Sequence, residues 1–242
     1  MQKGTLYLLP TFLAPANPNS VFPPENLTIT NKLNTFIVED IRTARRFLRK
    51  AGFTRSFDDI VFHILDKHTD RTTVNSFLDT ANEGEDIGLL SEAGVPCVAD
   101  PGSEIVRIAH KRDIHVVPLT GPSSLLLALM ASGFNGQNFV FHGYLPIKPK
   151  ERERALQKLE KDIYSKNQTQ IFIEAPYRNN HVLETICKSC KPETLLCIAV
   201  DVTSENESIK TKSITEWNKS LPNLHKRPVV FLLYGHPDKT KK

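Results

Sequence analysis

The sequence predicts an α/β protein, with a mostly parallel sheet in its first part and a mixed sheet in its second. Three features point there. Strand-like and helix-like segments alternate throughout the first half, the order that a parallel sheet with crossover helices requires. The strand segments are continuous apolar runs, as expected where both faces of a sheet are covered. Two strands, Ile87–Leu90 and Ile114–Val117, run into small-residue loops, Ser91–Pro96 and Leu119–Ser124, and each loop leads through a proline into a helix. Small residues at strand carboxyl ends let a ligand approach the backbone closely, so the two loops mark one candidate ligand site.

In chain order, strands are expected at Leu6–Leu9, Ile60–Ile64, Ile87–Leu90, Ile114–Val117, Phe139–Phe141, Gln170–Glu174, Leu195–Val200, Ser208–Lys212 and Val229–Leu233, all rich in strand-forming side chains. Helices are expected at Asp40–Ala51, Asp70–Asn82, Pro101–Lys111, Pro122–Ala131, Glu151–Lys161, Arg178–Cys187 and Thr215–Leu221. From residue 195 the strands crowd together, which suits a mixed sheet. A domain boundary near 118–121 gives two α/β domains, 1–119 and 120–242. Thr11–Asn31 carries four prolines and no clear period, and reads as a long irregular loop. Asp238–Lys242 reads as a disordered basic tail.

Composition excludes several classes. The 242 residues, 40% hydrophobic and 24% charged, are those of an ordinary globular protein. No apolar run approaches the ~20 residues that span a bilayer, and the first residues lack a secretory pattern. Four cysteines make no disulfide framework and fit a reduced, cytoplasmic setting. No two of the eleven glycines are two apart, so the usual dinucleotide-binding G-x-G is missing, as are a P-loop, a zinc-binding H-E-x-x-H and a G-x-S-x-G elbow. Cys187 and Cys190 form a C-x-x-C without a partner pair, so no metal is expected. His68, His142 and His181 are scattered candidate bases.

The formal charge of +4 is modest, but its distribution is not even. Arg42, Arg45, Arg46, Arg49 and Lys50 fall on one stripe of a helix. A second basic cluster, Lys148, Lys150, Arg152 and Arg154, follows Pro146. The plainer reading of the first stripe is a solvated helix face; the two patches together suggest a polyanionic substrate.

Six motifs occur in order: GTLYLLP at 4–10, EDIR at 39–42, SEAGVPxxADPG at 91–102, PLTGPSS at 118–124, FHGYLP at 141–146 and EAPYR at 174–178. In these the chain resembles the tetrapyrrole methylase superfamily, and most of all its 16S ribosomal RNA ribose 2′-O-methyltransferase branch. The resemblance runs from about residue 4 to 235. It implies a two-domain tetrapyrrole-methylase-like fold, a homodimer, and S-adenosylmethionine bound in the cleft between the domains.

Carried onto this chain, the resemblance puts Pro10 beside the cofactor and Glu92, Ala93, Gly94 and Val95 against its amino-acid and ribose parts, with Val98 and Asp100 nearby. Ser123 and Ser124 stand in the second contact loop. Ala175 and Lys212 flank the adenine, although relatives commonly have glycine at the latter position. Asp100 also reads as the N-cap of a helix beginning at Pro101. A proline-rich segment replaces the short T-P-I-G-N-L-like turn of the branch, and Val200–Ser204 lacks the Arg and Lys of its R-E-L-T-K stretch.

A ribose hydroxyl needs its proton removed as it attacks a methyl group. Glu39 and Asp40, which end a strand and begin the basic helix, are the candidate catalytic residues. The plainer readings are an N-cap for Asp40 and an Arg42 pair for Glu39. Arg42, Arg45 and Arg178 are the candidate substrate residues. Three functions stay open: methylation of small-subunit ribosomal RNA, methylation of an anionic small molecule such as a porphyrin or corrinoid precursor, and a non-catalytic binding module for S-adenosylmethionine. None of them involves a membrane.

Overall fold

Five parallel strands carry the first unit: β1 (Thr5–Leu9), β2 (Thr35–Val38), β3 (Val61–Ile64), β4 (Ile87–Leu90) and β5 (His115–Pro118), in the order β3-β2-β4-β1-β5. The structure, a computed structural model, describes residues 2–66 and 69–235, without the Arg71 side chain. His68 and the tail 238–242 lie outside the described residues. The chain forms two compact units, Met1–Ser123 and Ser124–Lys242.

Side-chain alternation gives the first sheet two apolar faces. Leu9, Phe36, Val38 and Leu90 pack with Ala44 and Leu48 of α3 (Ile41–Ala51). Leu6, Ile37, Ile87 and Leu89 pack on the other face with Val74 of α4 (Arg71–Ser76), Ala81 of α5 (Asp79–Asn82) and Ile105 and Ile108 of α6 (Ser103–Lys111). This order has a consequence for function. The connections from β1 lead one way across the sheet and those from β4 lead the other way. The strand order therefore reverses between these two neighbours, and the crevice at their carboxyl ends is where open α/β sheets bind ligands.

Sequence and structure differ at several elements. Strand β2 is absent from the strands read off the sequence, although Glu39 and Asp40 read as following one. It is only four residues long, TFIV, with every side chain buried between β3 and β4. The expected helix 70–82 is two short helices broken at Phe77 and Leu78, both buried. The segment 11–31 is not irregular: it holds α1 (Pro18–Val21) and α2 (Pro24–Thr30). Its prolines start helices, where a missing N–H costs nothing. Phe12 and Phe22 of this segment pack with Phe47 of α3 at ring distances of 5.3 and 6.1 Å, and Asn26 Nδ2 donates to the Thr120 carbonyl at 2.9 Å.

The second unit is a mixed sheet of β6 (Phe139–Tyr144), β7 (Thr169–Ile173), β8 (Leu195–Val200), β9 (Ser208–Ser213) and β10 (Val229–Tyr234), in the order β6-β7-β10-β8-β9. Only β6 and β7 pair in parallel. The unit also contains α7 (Ser124–Ser132), α8 (Pro149–Lys166), α9 (Asn179–Ser189) and α10 (Ile214–Trp217). Helix α8 outruns its expected end at Lys161 and stops where Asn167 turns left-handed. Phe231 of β10 is fully buried and stacks on Phe172 of β7 at 5.5 Å. Phe231→Ala should cost this unit about 3–5 kcal/mol of stability, read from denaturant unfolding followed by circular dichroism.

Candidate functional site

The loops after β1 and β4 meet at the crevice and are tied by one carbonyl. The Gly94 oxygen accepts from Thr11 N at 2.9 Å and from the buried Ser91 hydroxyl at 2.7 Å. Gly94 has φ +77°, and a Cβ there would come within 2.9 Å of Leu13 and 3.1 Å of the Pro122 carbonyl. Glycine is thus required for conformation and for space. The third loop, after β5, closes on the same place: a Cβ on Gly121 would sit 2.2 Å from the Pro10 ring. Pro10 is accordingly buried under Gly121, while Val95 is half-buried and Ala93 and Val98 are exposed.

The remainder of the β4 loop is folded around Asp100. Its carboxylate accepts from Cys97 N at 2.8 and 2.9 Å and from Gly102 N at 2.8 Å. It is not an N-cap: α6 begins at Ser103, and Gly102 precedes it without a side-chain cap. Cys97 and Ala99 both have positive φ, 68° and 63°. Two strained non-glycine residues in one loop are typical of a functional segment. Burial raises the Asp100 carboxyl above its usual range despite those hydrogen bonds, and burial together with Asp100 pushes the Cys97 thiol up to about 12.

Glu39 and Asp40 follow β2. Asp40 caps α3: its carboxylate accepts from Thr43 N at 2.7 Å and from the Thr43 hydroxyl at 2.8 Å. These bonds hold its pKa below the usual value. Glu92 is raised, first by partial burial and then by the charge of Asp40. Glu39 and Glu92 line one small cavity with Thr11, Thr43 and Ser91. The buried Thr11 hydroxyl has no hydrogen-bond partner among the described residues. Sequence reasoning passed over Thr11, whose only signal is its place directly after Pro10.

Arg42, Arg45, Arg46, Arg49 and Lys50 are all exposed on α3, and no carboxylate among the described residues lies within ion-pair distance of any of them. Arg45 lies over Phe57 and Phe62, 5.3 Å from each centroid, and Arg49 over Phe57 at 4.1 Å. Stacking fixes a guanidinium by its face and leaves N–H groups at its edge.

In the second unit, Ser124 is half-buried at the start of α7, as is Ser123 just before it. Ala175 N donates to Glu174 Oε1 at 2.7 Å. Lys212 lies on β9 with its ammonium 4.8 Å from the Trp217 ring centre. Arg178 is engaged within the protein by the buried Glu174 carboxylate. Glu207 accepts from Thr203 N at 2.7 Å and so closes the turn after β8, in which Asp201 and Thr203 have positive φ. His142 is bonded to Gln170 at 2.7 Å. The four cysteines are free, and no metal-binding cluster occurs among the described residues.

A sequence profile of the tetrapyrrole (corrin/porphyrin) methylases matches residues 31–217. The chain belongs to this family of methyltransferases. Within it, the chain is similar to the ribosomal RNA small subunit methyltransferase I of Escherichia coli O157:H7, 29% identical over 237 residues that cover 97% of this chain and 79% of that one. The protein of the same name from Haemophilus influenzae is 30% identical over 209 residues, 85% of this chain and 71% of that one. A crystal structure of the methyltransferase CobJ shares the fold, with a TM-score of 0.63 over 96% of this chain at 18% identity.

The lowered pKa of Asp40 gives a signed expectation. Its carboxylate contributes stability that is present above the unfolded pKa and lost as pH falls through the folded one. Thermal unfolding between neutral and acidic pH should therefore be less acid-sensitive in Asp40→Asn than in the parent.

Proposed function

We propose that the protein transfers a methyl group from S-adenosylmethionine to a ribose 2′-hydroxyl of small-subunit ribosomal RNA. The names of its relatives support the substrate, and the basic face of α3, which makes no ion pair among the described residues, carries the reading in the structure itself. From Arg42 to Lys50 that stripe is about 12 Å long at the rise of an α-helix. Such a length suits successive backbone phosphates better than the carboxylates of one small molecule.

The crevice residues fit the cofactor. The exposed Ala93 and Val98 offer backbone and apolar surface at strand ends. The unpartnered Thr11 hydroxyl and the Glu39 and Glu92 carboxylates suit a ligand with hydroxyl, ammonium and sulfonium groups. When bound, S-adenosylmethionine supplies the electrophilic methyl group, and the protein supplies alignment and electrostatics. Glu39 accepts the hydroxyl proton. Asp40, held ionised by Thr43, fixes the start of α3 and keeps negative charge beside Glu92. Arg42 and Arg45 bind phosphates. Ser123, Ser124, Ala175 and Lys212 keep the cofactor-contact roles that the resemblance implies.

Among the described residues no helix is long and apolar enough to cross a membrane, and the proposal places the enzyme in the cytoplasm. It acts as a homodimer in this reading. Helix α7 is apolar nearly all round and exposes Leu126 and Met130 four residues apart, a surface suited to a second copy.

Calorimetry with S-adenosylmethionine should show binding by the parent and its loss in Gly94→Val, with a stability loss of about 1–3 kcal/mol from the strained backbone; undiminished binding by the variant would refute the site. Primer-extension mapping of 16S RNA should show one 2′-O-methyl group that depends on the protein. For a small-subunit RNA fragment, Arg42→Gln/Arg45→Gln should reduce the slope of log affinity against log salt by about 2, one for each lost phosphate contact.

A further inference from the structure

Arg152 sits at the start of α8 with only 7% of its surface exposed. A buried guanidinium is costly unless its charge is matched. No carboxylate among the described residues lies within ion-pair distance of it. Its Nε and Nη2 donate to the Thr185 hydroxyl at 3.2 and 3.1 Å, and Nη1 donates to the Ile147 carbonyl at 3.3 Å. These bonds use three of its five N–H groups. The sequence groups Arg152 with Lys148, Lys150 and Arg154 in one basic cluster; the fold turns it inward.

The surroundings add further cationic groups, and the carboxylates near them stay clear of Arg152. Strands β6 and β7 are parallel, and α8 and α9 each follow one of them. Both connections cross the sheet in the same direction, so both helices lie on one face and begin at the same end. Neither has a side-chain cap at its N-terminus, and helix N-termini attract anions. Arg152, Thr185, Arg178, His181 and Lys188 line a cavity of about 410 Å³ that borders the start of α8 and runs along α9 as far as Lys188 in its last turn. The buried Arg178 Nε has no hydrogen-bond partner among the described residues, its Nη2 being held by Glu174. Glu153 and Glu184 also line the cavity, but both are exposed to solvent.

We infer that this cavity is a phosphate-binding site, with Arg152 as its buried anchor, Arg178 Nε as a second donor, and His181 and Lys188 at its mouth. The phosphate belongs either to an RNA backbone or to a free anion. The site lies wholly within the second unit and does not depend on methyl transfer, so it stands or falls apart from the proposed reaction.

Titration with inorganic phosphate, followed by the arginine Nε–H signals in NMR spectra of the full chain, tests it. Saturable shifts of the Arg152 and Arg178 signals are expected. Arg152→Gln should weaken binding about tenfold, as loss of a charge-assisted contact does. If that variant does not fold, His181→Gln/Lys188→Gln, confined to exposed positions, should weaken binding several-fold, and Glu184→Gln should strengthen it. Absence of shifts at millimolar phosphate, or shifts unaltered in the mouth variant, would overturn the site. The source of the phosphate follows from a small-subunit RNA fragment. If the RNA backbone supplies it, the salt slope of Arg152→Gln falls by about 1. If a free anion supplies it, the slope is unchanged while phosphate binding still weakens.

Discussion

The Gly94 carbonyl is the joint on which the first unit's site depends. It accepts two hydrogen bonds, from the backbone after β1 and from a side chain after β4. Those are the two strands between which the sheet order reverses, and a gap is left at their carboxyl ends. Without this joint the two loops would be independent and entropically costly to order. With it they form one surface, and the β5 loop packs on that surface through the contact of Gly121 with Pro10. Both Asp100, which folds the rest of the β4 loop around itself, and Thr11, which presents an unpartnered hydroxyl, are placed by this arrangement.

Charge is divided along the same unit in a purposeful way. Carboxylates gather after β2 and β4, where Asp40 and Glu92 influence each other. Cations gather along α3, which begins at Asp40. Such a division draws anionic groups toward the helix and cationic ones toward the strand ends. The phenylalanines under Arg45 and Arg49 narrow the positions those guanidiniums adopt, which lowers the entropy lost when they engage an anion.

Much of this was legible in the chain, because the signals were local. Continuous apolar runs marked β4 and β5, the i, i+3, i+4 spacing of arginines marked one face of α3, and the small residues of 91–96 marked the loop after β4. What escaped was decided by contacts distant in sequence. Strand β2 is too short to show a period and is a strand because β3 and β4 flank it. The prolines of 11–31 looked like breakers and are helix starters, a difference that depends on Phe12 and Phe22 finding Phe47. Arg152 stands in a basic cluster with Lys148, Lys150 and Arg154, and nothing near it in sequence reveals its partner Thr185. Asp100 looked like a helix cap, yet its nearest donors are within the loop itself.

The aromatic contact between segment 11–31 and α3 has a mechanical meaning. Phe12 follows Thr11, whose N–H is bound by Gly94, and Phe47 lies on the helix that bears the basic stripe. Asn26 pins the same segment to the loop after β5. The segment thus acts as a brace that ties the helix to the strand-end loops. The spacing between the basic stripe and the carboxylates at the strand ends is set by packing within this segment.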